Sequence, residues 1–280
     1  METGDPLVTA EWLKANINAP DLRVVDATWV APFLVGRKTG RELYDEGHIP
    51  GAVFFDIDHV ADPQSDLPHM LPDAIVFSSR VRKLGLGDGN RLVIYDQNGF
   101  FASARVWWMF RAMGHKDVRV LDGGFAAWQA AGGEVEDMPP VAVERHYTAR
   151  KRADLVRDQH QMREIVANAA GHILDARAPG RFAGSDPEPR PELPSGHMPG
   201  SVCVPATSLI NPDGTMKSKS ELEALLGDYG KKPVVTTCGS GVSAAVIALA
   251  LARIGKWDAA VYDGSWSEWA ANADNPIATL

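Results

Sequence analysis

The sequence predicts an α/β protein made of two tandem domains, each a parallel sheet flanked by helices. Short β-branched runs alternate with longer amphipathic stretches, which is typical of a parallel sheet covered by helices on both faces. The same series of segments then occurs again in the second half of the chain. Because this repeat is far longer than any solenoid repeat, it indicates two complete domains.

Four segments carry the repeat, and they keep their order with an offset that drifts only from 149 to 141 residues. The matched pairs are residues 24–28 with 173–177, 47–53 with 196–202, 92–96 with 234–238, and 122–128 with 263–269. The stretch between the two copies contains Pro139-Pro140 and many charges, which is typical of a linker. We therefore predict a first domain at 1–135, a linker at 136–157 and a second domain at 158–280.

Composition and charge argue against several classes of function. Of 280 residues, 45% are hydrophobic and 23% are charged, which is ordinary for a globular protein. The net charge of −8 leaves no basic footprint, so we expect no nucleic-acid partner. No apolar run is long enough to span a bilayer, and residues 1–5 lack the core of a signal peptide, so we expect no membrane association. The two cysteines form neither a disulfide framework nor a zinc motif, and a reducing cytoplasm suits a reactive thiol.

One cysteine stands where a predicted strand gives way to a predicted helix. Cys238 ends a β-branched run and is followed by Gly239, Ser240 and Gly241, and then by an alanine-rich apolar stretch. Backbone N–H groups and a helix N-terminus at such a place stabilise a thiolate, which is the nucleophilic form of cysteine. The alternative is an inert buried cysteine. The two glycines, which let the backbone curl around a ligand, favour the nucleophile.

The two copies differ at this position. The residue that aligns with Cys238 in the first copy is Asp96, and the loop after it has no thiol. Ligand sites of open α/β sheets lie at the carboxyl ends of the strands, which is where Cys238 falls. We therefore predict that only the second domain carries the nucleophile. His48 and His197 occur in both copies and are interpreted as structural, while Cys203 lacks a glycine loop and is interpreted as a packing residue.

Together these motifs resemble the two-domain rhodanese-like sulfurtransferases. The resemblance rests on the tandem repeat, on Gly-His-x-Pro-Gly and Asp-Gly-x-x-x-x-Trp in both halves, and on Cys-Gly-Ser-Gly-Val at 238–242. Thiosulfate-using members carry cationic residues after the cysteine. The loop here is uncharged, with Ser243 where the family usually has threonine, and it resembles the 3-mercaptopyruvate sulfurtransferase subfamily. The resemblance therefore implies an enzyme that acts on 3-mercaptopyruvate.

The resemblance also implies which residues contact the substrate. Arg181 and Arg190 match arginines that bind the carboxylate and keto oxygens of mercaptopyruvate in similar proteins. A planar guanidinium holds a carboxylate with two hydrogen bonds, which agrees with that role. Without the resemblance, both would be interpreted as solvated loop charges. The other expected binding residues belong to the loop at 238–243, called the cysteine loop below: Gly239, Gly241, Val242 and Ser243.

A second implied group is a Ser–His–Asp array. In similar proteins the counterparts of Asp58 and His69, both placed here in the predicted first domain, line up with the loop serine, which is Ser240 in this chain. Such an array would orient a proton relay toward the substrate thiol or the departing carbanion. The alternative is a hydrogen-bonded structural histidine and a serine that acts only as a loop donor.

The expected reaction is a double displacement through Cys238. The thiolate takes sulfur from 3-mercaptopyruvate, pyruvate is released, and the sulfur passes to a thiol or to cyanide. We expect no metal or organic cofactor. The expected acceptors are thioredoxin or a low-molecular-weight thiol, and the expected form is a cytoplasmic monomer.

Four other functions fit parts of the sequence. A thiosulfate sulfurtransferase would share the fold and the nucleophile and differ in its donor. A cysteine phosphatase normally needs an arginine six residues after the cysteine, where this chain has Ala244. A nicotinamide-binding oxidoreductase needs a third glycine and an acidic residue after a second strand, whereas Asp258, near the right spacing, follows a predicted helix. A non-catalytic binding module would keep its role without Cys238.

Overall fold

The computed structural model describes residues 4–280 and divides them into two compact units. The first unit comprises the chain up to Pro63 together with Leu71–Arg152 and Asn211–Met216. The second comprises Gln64–Met70, Ala153–Ile210 and Lys217–Leu280. Each unit therefore includes one short segment from the other half of the sequence.

The described part of the first unit contains five strands and five helices. In chain order they are β1 (Leu7–Val8), α1 (Ala10–Asn16), β2 (Leu22–Asp26), α2 (Gly40–Glu46), β3 (Val53–Phe54), α3 (Ala74–Lys83), β4 (Arg91–Tyr95), α4 (Phe101–Ala112), β5 (Val118–Leu121) and α5 (Gly124–Ala130). The strands form one sheet in the order β1-β5-β4-β2-β3, and every neighbouring pair is parallel.

The second unit repeats this plan. Its described elements are a 3-10 turn (Ala153–Leu155), β6 (Val156–Arg157), α6 (Gln159–Asn168), β7 (His172–Asp175), α7 (Pro179–Ala183), β8 (Ser201–Cys203), a 3-10 turn (Ala206–Leu209), α8 (Lys219–Leu226), β9 (Val234–Thr237), α9 (Ala244–Arg253), β10 (Ala260–Tyr262) and α10 (Ser265–Trp269). The parallel sheet has the order β6-β10-β9-β7-β8. This is the strand order of the first unit, so the predicted pair of tandem α/β domains is confirmed.

The helix after each central strand is buried on every side. α9 is apolar along its buried length, whereas α4 also buries Arg105 and Arg111, whose guanidinium groups lie over the rings of Trp108 and Trp107. In α4 all residues from Ala102 to Ala112 are buried, and in α9 the same holds from Ala244 to Ala252. Each unit also has a hydrophobic core cluster with aromatic members, which include Tyr95 and Trp128 in the first unit and Tyr262 and Trp269 in the second. The ends of β4 and β9 are therefore held between packed layers, which fixes the loops that follow them.

The histidines of the two Gly-His-x-Pro-Gly motifs have matching environments. The ring of His48 stacks on Tyr44 with centroids 3.9 Å apart, and its Nδ1 lies 2.8 Å from the Tyr44 carbonyl. His197 stacks on Phe182 at 3.9 Å, with Nδ1 2.8 Å from the Phe182 carbonyl. The backbone of each histidine also forms an antiparallel bridge to a later segment of its own unit. These contacts agree with the structural interpretation of both residues.

The division of the chain differs in two places from the expectation. The first unit extends to Arg152, and the last two residues of the predicted linker form β6, which pairs with β10. His69, placed by sequence order in the first domain, lies in Gln64–Met70, which belongs to the second unit. The reason for the second difference is that a short segment without helix or strand belongs to the unit that it packs against, and sequence order does not reveal which unit that is.

Candidate active site

Cys238 follows the last residue of β9 and is buried, with 2% of its surface exposed. Its backbone is fixed by α10. The Cys238 amide donates to Ser265 Oγ at 3.2 Å, and the Cys238 carbonyl accepts from the Trp266 amide at 3.0 Å. The Gly239 carbonyl accepts from the amide and the hydroxyl of Ser267, at 2.9 and 2.7 Å. These contacts hold the start of the cysteine loop in one position.

The loop that follows presents amides without protein acceptors. Among residues 4–280, the N–H groups of Gly239, Ser240, Val242 and Ser243 donate to no protein atom. Gly241 has a φ of 79°, a conformation that favours glycine, and so it lets the chain turn into α9. Several unengaged amides in one tight loop before a helix are available as hydrogen-bond donors, which suits an anionic ligand.

The equivalent loop of the first unit binds a carboxylate. Asp96 follows β4 as Cys238 follows β9, and its buried carboxylate accepts the amides of Phe100 at 3.0 Å and Ser103 at 2.8 Å. The Asp96 carbonyl accepts from the Phe125 amide at 3.1 Å, the counterpart of the bond from Trp266 to Cys238. The loop in the thiol-free unit therefore binds its own carboxylate side chain, and Cys238 occupies the equivalent sequence position in the second unit.

Arg181 lies on α7 with its guanidinium against the cysteine loop. A Cβ built on Gly239 would stand 3.1 Å from Arg181 Nη2 and 3.9 Å from Nη1. The Arg181 side chain is 23% exposed, so part of the guanidinium is open to a ligand. Its other edge pairs with Glu188, through Nε to Oε1 at 3.2 Å and Nη2 to Oε2 at 2.5 Å. Of the two arginines predicted to bind the substrate, Arg181 thus lies beside the cysteine loop.

Sequence reasoning missed a buried charge network behind Arg181. Arg177 binds Glu188 through Nη1 at 2.9 Å and Asp175 through Nη2 at 2.7 Å. Burial alone would lower the pKa of Arg177, but hydrogen bonds and charges from Asp175 and Glu188 outweigh it and raise that pKa. The repeat contains a signal for this network. Arg177 aligns with Thr28, so the second copy has a charged residue where the first copy has an uncharged one.

Arg190 is not brought into this network. Its side chain is partly exposed and makes no hydrogen bond or ion pair within the part of the chain that the structure describes. Its backbone carbonyl accepts from the Leu193 amide at 3.0 Å, which closes a turn in the proline-rich stretch. The expected role of Arg190 in carboxylate binding stays a prediction.

The expected Ser–His–Asp array is distributed over the two units. Ser240, in the cysteine loop, is partly buried, and His69 is buried in the same unit with a φ of 60°, which is unusual for a residue other than glycine. Asp58 belongs to the first unit, where its exposed carboxylate accepts from the indole N–H of Trp29 at 2.8 Å. The proton relay stays a prediction.

The second cysteine lies apart from any such loop. Cys203 is the last residue of β8, and its thiol donates to the Arg177 carbonyl at 3.7 Å. Burial, and then the charge of Asp175, raise the pKa of the Cys203 thiol. A raised pKa keeps the thiol protonated, which agrees with a packing role.

Neither a membrane-spanning helix nor a metal centre is found in the described residues. No helix in 4–280 is both long and apolar enough to cross a membrane. No group of three or more histidine, cysteine or acidic side chains in that range is arranged to hold a metal ion.

Comparison with known proteins identifies the fold. The profile of the rhodanese-like domain matches residues 9–131 and 158–272. A 3-mercaptopyruvate sulfurtransferase of Escherichia coli O157:H7 is 39% identical over 276 residues, covering 98% of each chain. A thiosulfate sulfurtransferase of Rattus norvegicus is 41% identical, over 94% of this chain and 91% of its own length. The crystal structure of a 3-mercaptopyruvate sulfotransferase from Escherichia coli superimposes with a TM-score of 0.85 at 36% identity, covering 94% of this chain and 99% of that one. The chain is a two-domain member of the rhodanese-like sulfurtransferase family.

Proposed function

We propose that the chain transfers sulfur from 3-mercaptopyruvate to a thiol acceptor through a persulfide on Cys238. The observation that carries this proposal is the cysteine loop, with a buried thiol, four amides without protein acceptors and the guanidinium of Arg181 beside Gly239. The loop suits a sulfur anion, and the guanidinium suits the carboxylate of a keto acid.

In the first half-reaction the Cys238 thiolate attacks the sulfur of the donor. A sulfur–sulfur bond forms as the carbon–sulfur bond breaks, and the electron pair of the broken bond leaves with the carbon as the enolate of pyruvate. The proton of the donor thiol converts that enolate to pyruvate. Cys238 keeps the outer sulfur as a persulfide, and the loop amides stabilise its negative charge.

In the second half-reaction an acceptor thiolate attacks the outer sulfur. The sulfur–sulfur bond breaks, the electron pair returns to Cys238 as a thiolate, and the acceptor leaves as a persulfide. Cyanide accepts the same sulfur as thiocyanate. We propose thioredoxin or a small thiol as the acceptor, and such thiols stay reduced in the cytoplasm. The monomeric state is proposed on the resemblance to two-domain members of the family.

Proton transfer is proposed for the predicted array. The resemblance implies that His69, which belongs to the same unit as Ser240, passes the donor's proton toward the carbanion by way of the Ser240 hydroxyl. A His69→Asn variant should lower kcat for pyruvate release while its KM for 3-mercaptopyruvate stays near that of wild type. An unchanged kcat would restrict His69 to a structural role.

Thiosulfate is the second candidate donor, because a relative named for it is as similar as one named for 3-mercaptopyruvate. The choice between them rests on position 239. An uncharged glycine there leaves Arg181 as the cation beside the loop, and a single fork-shaped guanidinium suits a carboxylate better than a compact dianion.

The test is a kinetic comparison of the two donors with cyanide as acceptor. The proposal predicts parallel lines in double-reciprocal plots, which indicate a ping-pong mechanism, and a kcat/KM for 3-mercaptopyruvate at least about tenfold above that for thiosulfate. A higher kcat/KM for thiosulfate would overturn the choice of donor while leaving the nucleophile in place. Intersecting lines would overturn the persulfide intermediate.

A further inference from the structure

We propose that Glu188 is a positioning residue that sets the donor specificity of the cysteine loop. It holds the guanidinium of Arg181 against Gly239 and cancels its charge, so that the site selects an organic monocarboxylate by geometry and disfavours an inorganic dianion. This inference rests on the proposed function and names the residue that would decide between its two candidate donors.

The pairing with Glu188 uses one edge of the Arg181 guanidinium and leaves the other free. Nε and Nη2 face the two carboxylate oxygens, at 3.2 and 2.5 Å. Arg181 Nη1 has no hydrogen-bond partner among residues 4–280, and the side chain is 23% exposed. A guanidinium fixed by one bidentate pair presents its remaining N–H groups in a known plane, which is the geometry that a second carboxylate needs.

Glu188 is itself held in place by the second arginine. Its side chain is 2% exposed, and its Oε1 accepts from Arg177 Nη1 at 2.9 Å. Arg177 is anchored by Asp175 and by the Trp266 ring, whose centroid lies 4.3 Å from the guanidinium carbon. The Trp266 amide in turn donates to the Cys238 carbonyl. A continuous set of contacts therefore joins Arg181 to the backbone of Cys238.

Position 239 and Arg181 compete for the same space. A side chain at 239 would begin 3.1 Å from Arg181 Nη2, a contact tighter than most real Cβ contacts. A cationic residue at this loop position and an arginine docked as Arg181 is here would also repel each other. The cation beside the loop is therefore the guanidinium of Arg181 on α7, and Glu188 holds that guanidinium in place.

The charges of the network sum to zero, because Asp175 and Glu188 balance Arg177 and Arg181. A neutral network with directed N–H groups recognises a carboxylate mainly by hydrogen bonds and attracts a dianion only weakly. Replacing Glu188 with glutamine leaves Arg177 paired with Asp175 and gives the site beside the loop one net positive charge. The two donors should then respond in opposite directions.

The experiment measures kcat and KM of wild type and Glu188→Gln for both donors with cyanide as acceptor. We expect kcat/KM for 3-mercaptopyruvate to fall about tenfold, mainly through KM, because Arg181 loses its fixed orientation. We expect kcat/KM for thiosulfate to rise about threefold, because the added charge attracts the dianion. General damage to the site would lower both values together, so a parallel fall would overturn the proposal, as would two unchanged values.

Two further variants sharpen the result. Glu192→Gln makes the same charge change at an exposed residue of the same stretch, and both donors should stay within about twofold of wild type, because solvent screens that charge. Glu188→Asp keeps the charge and shortens the reach, so the thiosulfate value should stay at wild type while the mercaptopyruvate KM rises.

Glu188→Gln can fail to fold, and Gly239→Ala then serves in its place, since it displaces Arg181 Nη2 without removing an ion pair. Its KM for 3-mercaptopyruvate should rise, and an unchanged KM would overturn the proposal. If wild type does not turn over 3-mercaptopyruvate at all, the proposed function fails. If wild type does so and the variants do not separate the donors, only the role of Glu188 fails.

Discussion

Asp96 and Cys238 occupy equivalent positions in the two units, and the backbone carbonyl of each accepts a hydrogen bond from the helix after the last strand. The donors are the amides of Phe125, at 3.1 Å, and Trp266, at 3.0 Å. In the first unit the Asp96 carboxylate accepts hydrogen bonds from two amides of its own loop and of the start of α4. In the second unit the loop amides stay available, which is what a site that must hold a transferred sulfur anion requires.

A carboxylate at position 238 should therefore fit the second loop. We expect Cys238→Asp to transfer no sulfur and yet to unfold with a free energy about 1 kcal/mol or more above that of Cys238→Ser, because charged acceptors make stronger hydrogen bonds to amides. Urea unfolding of both variants measures this difference. Cys203→Asp is the control, since Cys203 lies at the end of β8 near Asp175, and that change should destabilise the protein. A Cys238→Asp variant less stable than Cys238→Ser would contradict the equivalence of the loops.

Removing the carboxylate of Asp96 should destabilise the protein without touching the nucleophile. We expect Asp96→Ala to lower the free energy of unfolding by about 2–4 kcal/mol, because two buried amides, of Phe100 and Ser103, lose their acceptor. Asp45→Ala removes the same group from an exposed pair with Arg41 and should cost about 1 kcal/mol at most. Equal losses in the free energy of unfolding for the two variants would refute the proposed stabilisation of the first loop by the Asp96 carboxylate.

Breaking the buried network should cost more than removing a surface arginine. We expect Arg177→Met to lower the free energy of unfolding by about 3–5 kcal/mol, because Asp175 is left as a buried charge without its partner. Arg190→Met makes the same change at a side chain without an ion pair in the described chain, and it should stay within about 0.5 kcal/mol of wild type. Chemical denaturation compares the two, and a loss below 1 kcal/mol for Arg177→Met would speak against the network.

The counterpart of Asp175 in the first unit gives a pH-dependent prediction. Asp26 aligns with Asp175 but has Thr28 in place of the arginine, and burial raises its pKa despite hydrogen bonds from neighbouring groups. A raised pKa means that the folded state binds the proton more tightly, so this carboxyl's contribution to stability falls as pH rises through the folded pKa. The stability of Asp26→Asn relative to wild type should therefore be higher at pH 7 than at pH 4. A difference that does not grow with pH would contradict this account.

The repeat allowed the fold to be predicted because it is a property of order and spacing. The matched segments coincide with strands and turns that pack in the same way in both units, as the shared strand order shows. The cysteine loop was also predictable, because strand, thiol and glycines are adjacent in the sequence. These features depend on local chemistry that a single segment carries.

Other features depend on packing between distant segments. Glu188 lies in a stretch rich in proline and charge, which is typical of a solvated loop, yet it is almost fully buried between two arginines. His69 sits in a segment without helix or strand, so no periodicity indicates which unit it joins. Burial of a charge and assignment of an irregular segment are both tertiary effects, and sequence patterns do not encode them directly.

Sulfur transfer from 3-mercaptopyruvate to Cys238 changes the mass of the intact protein, so mass spectrometry detects it without any acceptor. Purified wild type and Cys238→Ser are exposed briefly to 3-mercaptopyruvate or to thiosulfate, without acceptor, and their intact masses are then measured by mass spectrometry. We expect wild type to gain a single sulfur atom from 3-mercaptopyruvate and only a small fraction of that from thiosulfate, and we expect Cys238→Ser to gain none. A gain by Cys238→Ser, or no gain by wild type from either donor, would contradict this transfer.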